Sequence, residues 1–201
     1  MPVALGVYLA LLAGNCNEKR RAAERAERIT VALRAEAREN YGQLAASLHY
    51  HELFRDTLET YLRRVRGGAT ELAEVGRLFG SVYRGVRIGT LRSGAYEAAL
   101  ASGAVDALAP ELLLTVTDAY TQQREYARLG DNYLAWASRI NSQATFSDAV
   151  TFMRAMVYDA LFRERALRDR LAEAIAALGG EVPTEGNLEL GDPYAPGGWG
   201  G

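Results

Sequence analysis

The chain has 201 residues, 49% of them hydrophobic and 24% charged, with 23 basic against 25 acidic side chains and a net charge of −2. That length suits one folded domain with appendages, and the near-balance of charge leaves no global field to draw the chain onto nucleic acid. Cys16 is the only cysteine, which excludes an internal disulfide and a cysteine-based metal site.

Residues 1–17 carry no charged side chain. As a helix this run would be about 25 Å long, against a hydrocarbon core of about 30 Å. Val3, Leu5, Val7, Leu9, Leu11 and Leu12 each favour insertion by about 0.3–0.6 kcal/mol. No basic residue precedes the run, so a cleaved export signal lacks its positive start. "LLAGNC" approaches a lipoprotein cleavage box, but Asn15 stands where a small residue should precede Cys16. A buried core helix of a soluble protein is the competing reading. Two features favour a membrane span. The run has no polar face, and Gly6, Ala10 and Gly14 recur every four residues, the small-xxx-small row that lets helices approach closely in lipid; chance spacing of common small residues is the plain alternative. Lys19, Arg20, Arg21, Arg25 and Arg28 outnumber Glu18, Glu24 and Glu27 just beyond it. The positive-inside rule then predicts a single-pass anchor in the inner (cytoplasmic) membrane, N-terminus outside and body in the cytoplasm.

Residues 22–65 read as helix. Ile29, Leu33, Ala37, Tyr41, Leu44, Leu48, His51, Leu58, Leu62 and Val65 follow a three/four spacing, with Arg55 a blemish on that seam. Gly42 costs about 1 kcal/mol relative to alanine without breaking the helix. Joined to the anchor, the rod would be about 90 Å long. Gly67 and Gly68 stop it. Thr70 can cap a short helix, "ELAEVGRLFG"; "SVYRGVRIGTLRSG" has no helical stripe and reads as an irregular connection; "AYEAALASG" is a second short helix ended by Gly103.

A second long helix starts at Pro110, a favoured first-turn residue, and runs to about residue 141. Its seam is Leu113, Val116, Tyr120, Gln123, Ala127, Gly130, Leu134 and Ala137. "NSQATFSD" breaks it, and Ser147 can cap a third. Val150, Met153, Val157, Ala160, Leu167, Leu171, Ala174 and Leu178 form the third stripe, interrupted by Glu164 and ended by Gly179 and Gly180. The tail is rich in glycine and proline and cannot bury enough to fold alone. In it, Tyr194 and Trp199 are candidate anchors for a partner, or stray aromatics on a loose end. The predicted fold is all-α: a transmembrane helix (1–17) continuing into a long helix (18–66), a stretch of short helices and irregular connection (67–109), a helical hairpin completing an antiparallel bundle (110–179), and the tail (180–201).

Chemistry is sparse. His49 and His51 lie roughly 200° apart around a helix, so both cannot bind one ion. His51 falls on the apolar seam and reads as a satisfied core histidine rather than a ligand. The Glu-x-x-His signature of di-iron bundles, a phosphate loop and a nucleophile elbow are all missing from the sequence. Cys16, at the expected membrane edge, is either a palmitoylation site or an inert thiol. The charges of residues 163–170 mix signs at helical spacing, as on a solvated face. Tyr120, Tyr126 and Tyr133 read as packing residues. No catalytic, cofactor or metal residue is expected.

Three stretches, "GVYLALLAGNCNEKRR", "LRAEARENYGQLAASLHYHELF" and "SGAYEAALASGAVDAL" followed by "LTVTDAYTQQREY", resemble an uncharacterised bacterial family of small single-span helical proteins. That resemblance covers roughly residues 4–175 and implies an N-terminal anchor, a charged juxtamembrane helix and a helical hairpin. It implies no activity. Cys16 stands where members often have a tryptophan. The expected function is a non-catalytic accessory or scaffold subunit of a larger respiratory, photosynthetic or transport membrane complex, gripping it through Gly6, Ala10 and Gly14. A self-associating anchored sensor and a helical-bundle metal enzyme are the alternatives.

Overall fold

A computed structural model describes residues 2–66, 87–137, 146–184 and 188, with side chains from residue 17 onward except at positions 134, 136, 137, 146 and 149. It is all-α, 86% helical and without strands among the described residues. The elements are α1 (Pro2–Arg66), α2 (Gly94–Ala101), a 3₁₀ turn (Ala104–Ala107), α3 (Pro110–Ala137) and α4 (Phe146–Ala177).

At 65 residues, α1 is a rod of about 97 Å. Its seam behaves as the spacing predicts: Leu33, Ala37, Leu44, Leu48, His51 and Leu58 are buried, while Tyr41 and Leu62 pack partly buried against the same core. No residue from Asn17 to Arg28 is buried. That stretch is held by strong helix formers and an Arg20–Glu24 ion pair at 3.3 Å across one turn. The rod therefore extends past the bundle, whose near end is marked by Leu33 packing with Leu178.

Pairings fix the topology. On α4, Glu164 meets His51, Arg165 meets Glu52 and Arg154 meets Glu59, so α4 runs antiparallel to α1. On α3, Tyr120 meets Glu36 and Gln123 meets Asn40, so α3 runs parallel to α1. Of the three long helices only α4 is antiparallel to its neighbours, because the chain between α1 and α3 returns to the bundle's near end before α3 begins. Residues 87–93 lie between α1 and α3 on that return. Gly89 shows how closely: a Cβ there would sit 2.9 Å from Ser47 Oγ.

At the C-terminus of α4, Gly179 takes φ +71°. The Gly180 amide bonds the Ile175 carbonyl at 2.9 Å and the Gly179 amide bonds that of Ala176 at 3.0 Å, a Schellman closure. Arg34 crosses from α1 to donate to the Leu178 and Gly179 carbonyls at 3.3 and 3.2 Å. Gly179→Ala is expected to lower stability by about 1 kcal/mol, the cost of a Cβ in the left-handed region. A urea-denaturation midpoint measures it, and Gly179→Asn should lose less.

The membrane span expected at residues 1–17 is not supported, and with it fall the single-pass anchor, the inner-membrane location and the orientation built on that anchor. Among the described residues, no helix is long and apolar enough to cross a membrane. The physical reason lies in the sequence. Asn15, Asn17 and the charges from Glu18 onward arrive before the apolar run reaches spanning length. Gly6, Ala10 and Gly14 fall on the first turns of α1, and their environment, like that of Cys16, lies outside the described side chains. So do the short helix expected after Thr70, the residues following Ala137 and the anchors Tyr194 and Trp199.

Candidate functional site

Among the described residues, three polar layers stack along one side of α1, each built by residues distant in sequence. In the first, Glu36 receives the Tyr120 hydroxyl at 2.6 Å, the Ala95 amide at 2.8 Å and the Tyr96 amide at 3.3 Å. Ser93 precedes α2 but makes no side-chain cap bond to its backbone. The carboxylate of Glu36 supplies that cap from another helix, where exposed amides and the helix dipole favour negative charge. Tyr96 stacks on Tyr120, ring centroids 4.3 Å apart.

In the second layer, Asn40 and Gln123 grip the backbone of Arg92. Asn40 Nδ2 donates to the Arg92 carbonyl at 2.7 Å and to Gln123 Oε1 at 3.0 Å. The Arg92 amide donates to Asn40 Oδ1 at 2.8 Å, and Gln123 Nε2 donates to the Arg92 carbonyl at 2.8 Å. Two buried side-chain amides thus satisfy backbone groups of the irregular 87–93 connection.

In the third layer, His51 Nδ1 lies 2.8 and 3.0 Å from the two oxygens of Glu164, and both side chains are 0% exposed. Tyr126 donates its hydroxyl to Glu164 at 2.7 Å and accepts the Gly89 amide at 3.1 Å. One carboxylate thereby joins α1, α3, α4 and the 87–93 connection. His51 Nε2 is buried without a hydrogen-bond partner among the described residues. Among the described residues, the histidine expected to be satisfied has a partner on one nitrogen and none on the other.

Burial, with help from neighbouring acids, holds the three tyrosine hydroxyls in their neutral form. It pushes Tyr120 and Tyr133 well above the usual value, with Glu36 and Asp159 adding to the shift. It does the same for Tyr126 beside Glu164. Folded values above the unfolded value of about 10 mean that their contribution is complete below pH 10 and is lost as pH rises beyond it. Alkaline melts are therefore expected to show stability falling from about pH 10, by up to about 1.4 kcal/mol per pH unit for each protected tyrosine. Tyr126→Phe should flatten that fall, and ultraviolet titration should count these hydroxyls among the last to ionise.

A histidine, a carboxylate and a phenol in contact are the parts of an acid–base site, but both members of the central pair are shut away from solvent. Their geometry locks four segments together. Among the described residues, no three of His, Cys, Asp and Glu converge as metal ligands would.

The surface offers a different feature. Tyr158 and Phe162, one turn apart on α4, are 45% and 74% exposed. They border a groove of about 590 Å³ between α4 and α1, lined also by Arg55, Leu161, Arg165, Ala166 and Asp169. Ion pairs frame it: Arg165 with Glu52 at 2.8 Å and Arg154 with Glu59 at 2.7 Å. Sequence reasoning passed over this stripe because the charges around it read as an ordinary solvated face. Two aromatics four residues apart among those charges were the available signal. Comparison with protein families, with characterised proteins and with solved structures finds no match for this chain.

Proposed function

We propose that the protein is a non-catalytic docking subunit, a helical scaffold that binds a larger protein assembly through the groove between α1 and α4. The observation that carries this reading is the exposed Tyr158–Phe162 pair, set above an apolar floor and walled by Arg55 and Arg165. Aromatic and arginine side chains ringed by polar groups make up the energetic centres of protein interfaces. A solvent-exposed Phe side chain otherwise forfeits about 1.5–3 kcal/mol of burial. The closed polar layers favour the same reading, since they fix four segments in one geometry and leave the catalytic-type side chains without access to a substrate.

A photo-cross-linking residue at position 162, expressed in the native cell, tests it. One discrete heterologous adduct is expected, lost when Arg165→Glu is added. A probe at Leu114, 70% exposed on α3, is the control. Equal adducts at both positions, or an adduct only with a second copy of the chain, would overturn the proposal; the latter would favour self-association.

A further inference from the structure

We infer that the cleft between α1 and α3 is a binding site for an extended peptide, and that residues 87–93 fill it as a built-in, detachable ligand. The inference does not depend on the groove between α1 and α4.

The cleft grips this segment by its backbone. Asn40 and Gln123, both buried, hold the Arg92 amide and carbonyl, and the Tyr126 hydroxyl accepts the Gly89 amide. Bonds of that kind read an extended main chain whatever its side chains, as when a strand is added to a sheet edge. The cleft is also assembled without the segment. Asn40 Nδ2 donates to Gln123 Oε1 at 3.0 Å, and the Tyr126 hydroxyl donates to Glu164 at 2.7 Å. The segment brings no matching order of its own: among the described residues, no backbone hydrogen bond joins residues 88–92 to one another. A prearranged receptor and a ligand that takes its shape there are the two halves of a binding site. Emptied, the cleft presents amides and a hydroxyl that water can reach, so release exchanges each lost bond for one to solvent.

Side chains set the selectivity. Ile88 and Leu91 pack partly buried against the core, and Ile88 Cγ1 lies 3.5 Å from the Cβ position of Gly130. Between them Gly89 fits closely. A Cβ there would sit 2.9 Å from Ser47 Oγ, so a larger residue has to push Ser47 aside. Thr90 is exposed. At the ends, the Arg87 guanidinium lies over the Tyr50 ring, 5.3 Å from its centroid, and Arg92 Nη1 reaches both oxygens of Glu39 at 3.0 and 2.8 Å. The pattern that fits is therefore basic, apolar, glycine, any residue, apolar, basic, in extended form. A partner's segment of that chemistry takes the cleft when residues 87–93 lift out.

In the parent chain the tethered segment competes at an effective concentration on the order of millimolar, so a free peptide is kept out until that hold is weakened. The full-length Ile88→Ser/Leu91→Ser variant weakens it and keeps the polar groups of the cleft. A fluorescent, end-capped peptide of sequence RIGTLR is expected to bind this variant at least tenfold more tightly than the parent, by anisotropy, with matched helical circular dichroism. Adding Gln123→Ala to the variant, or replacing the peptide's glycine with valine, should each weaken that binding at least fivefold. Equal binding to parent and variant, no binding to a folded variant, or indifference to both changes would overturn the inference. Should the double variant fail to fold, hydrogen exchange in the parent decides. The Gly89 and Arg92 amides are expected to be protected at least tenfold less than the Val157 amide of α4, through an opening that low urea does not accelerate. A common, urea-sensitive opening would refute detachment. A dimer of the parent that Gly89→Val dissolves would put a second copy's segment in the cleft and refute its filling by the chain's own.

Discussion

Glu164→Ala is expected to destabilise the bundle by about 2–6 kcal/mol, about 1–3 kcal/mol for each of two buried groups left without their hydrogen-bond partner. The variant would orphan His51 Nδ1 and the Tyr126 hydroxyl together, each buried and each bonded to that carboxylate. Tyr126 would then hold the Gly89 amide less firmly, so the loss should spread to the 87–93 connection. Hydrogen exchange at Gly89 reads that spread, and urea denaturation reads the total. His51→Leu combined with Glu164→Leu should recover much of the loss, because apolar replacement of a whole buried pair is often neutral. A single-variant loss below 1 kcal/mol would refute the idea that this carboxylate is the junction of the fold.

Glu36→Ala is expected to cost about 2–3 kcal/mol, since it removes three hydrogen bonds to one carboxylate, two of them capping α2. The effect should be local as well as global. Amide exchange across Gly94–Ala101 should accelerate more than exchange at the middle of α4. Glu36→Gln keeps the hydrogen-bonding shape but loses the charge facing the helix start, and should fall between the alanine variant and the parent chain. Uniform acceleration in every helix would show that Glu36 acts through general packing instead of as a cap.

The long helices were legible because their signals are local. Pro110 opens α3 as a first-turn residue should, and Gly103 and Gly179 end their segments in the left-handed conformation, at φ +67° and +71°. The seam of α1 follows from its spacing alone. The three polar layers were not legible, because their partners are chosen by how helices slide past one another. Glu164 read as a flaw in an apolar stripe, and its partner His51 lies 113 residues away. Glu164 alone looked like an interruption and His51 alone like an ordinary core residue, and together they form a joint. The opening run misled for a related reason. Uncharged residues in sequence measure what a segment could bury, whereas spanning a membrane also requires length, and the asparagines at its end take that length away.

The pairing of α1 with α4 also has a consequence for vectorial synthesis. Arg34 meets Leu178 across 144 residues of chain. At about 5–20 residues per second on the ribosome, the apolar seam of α1 waits for several seconds or more before its covering helix emerges. The face of α1 that α4 covers therefore stays unpaired until the last long helix has been made.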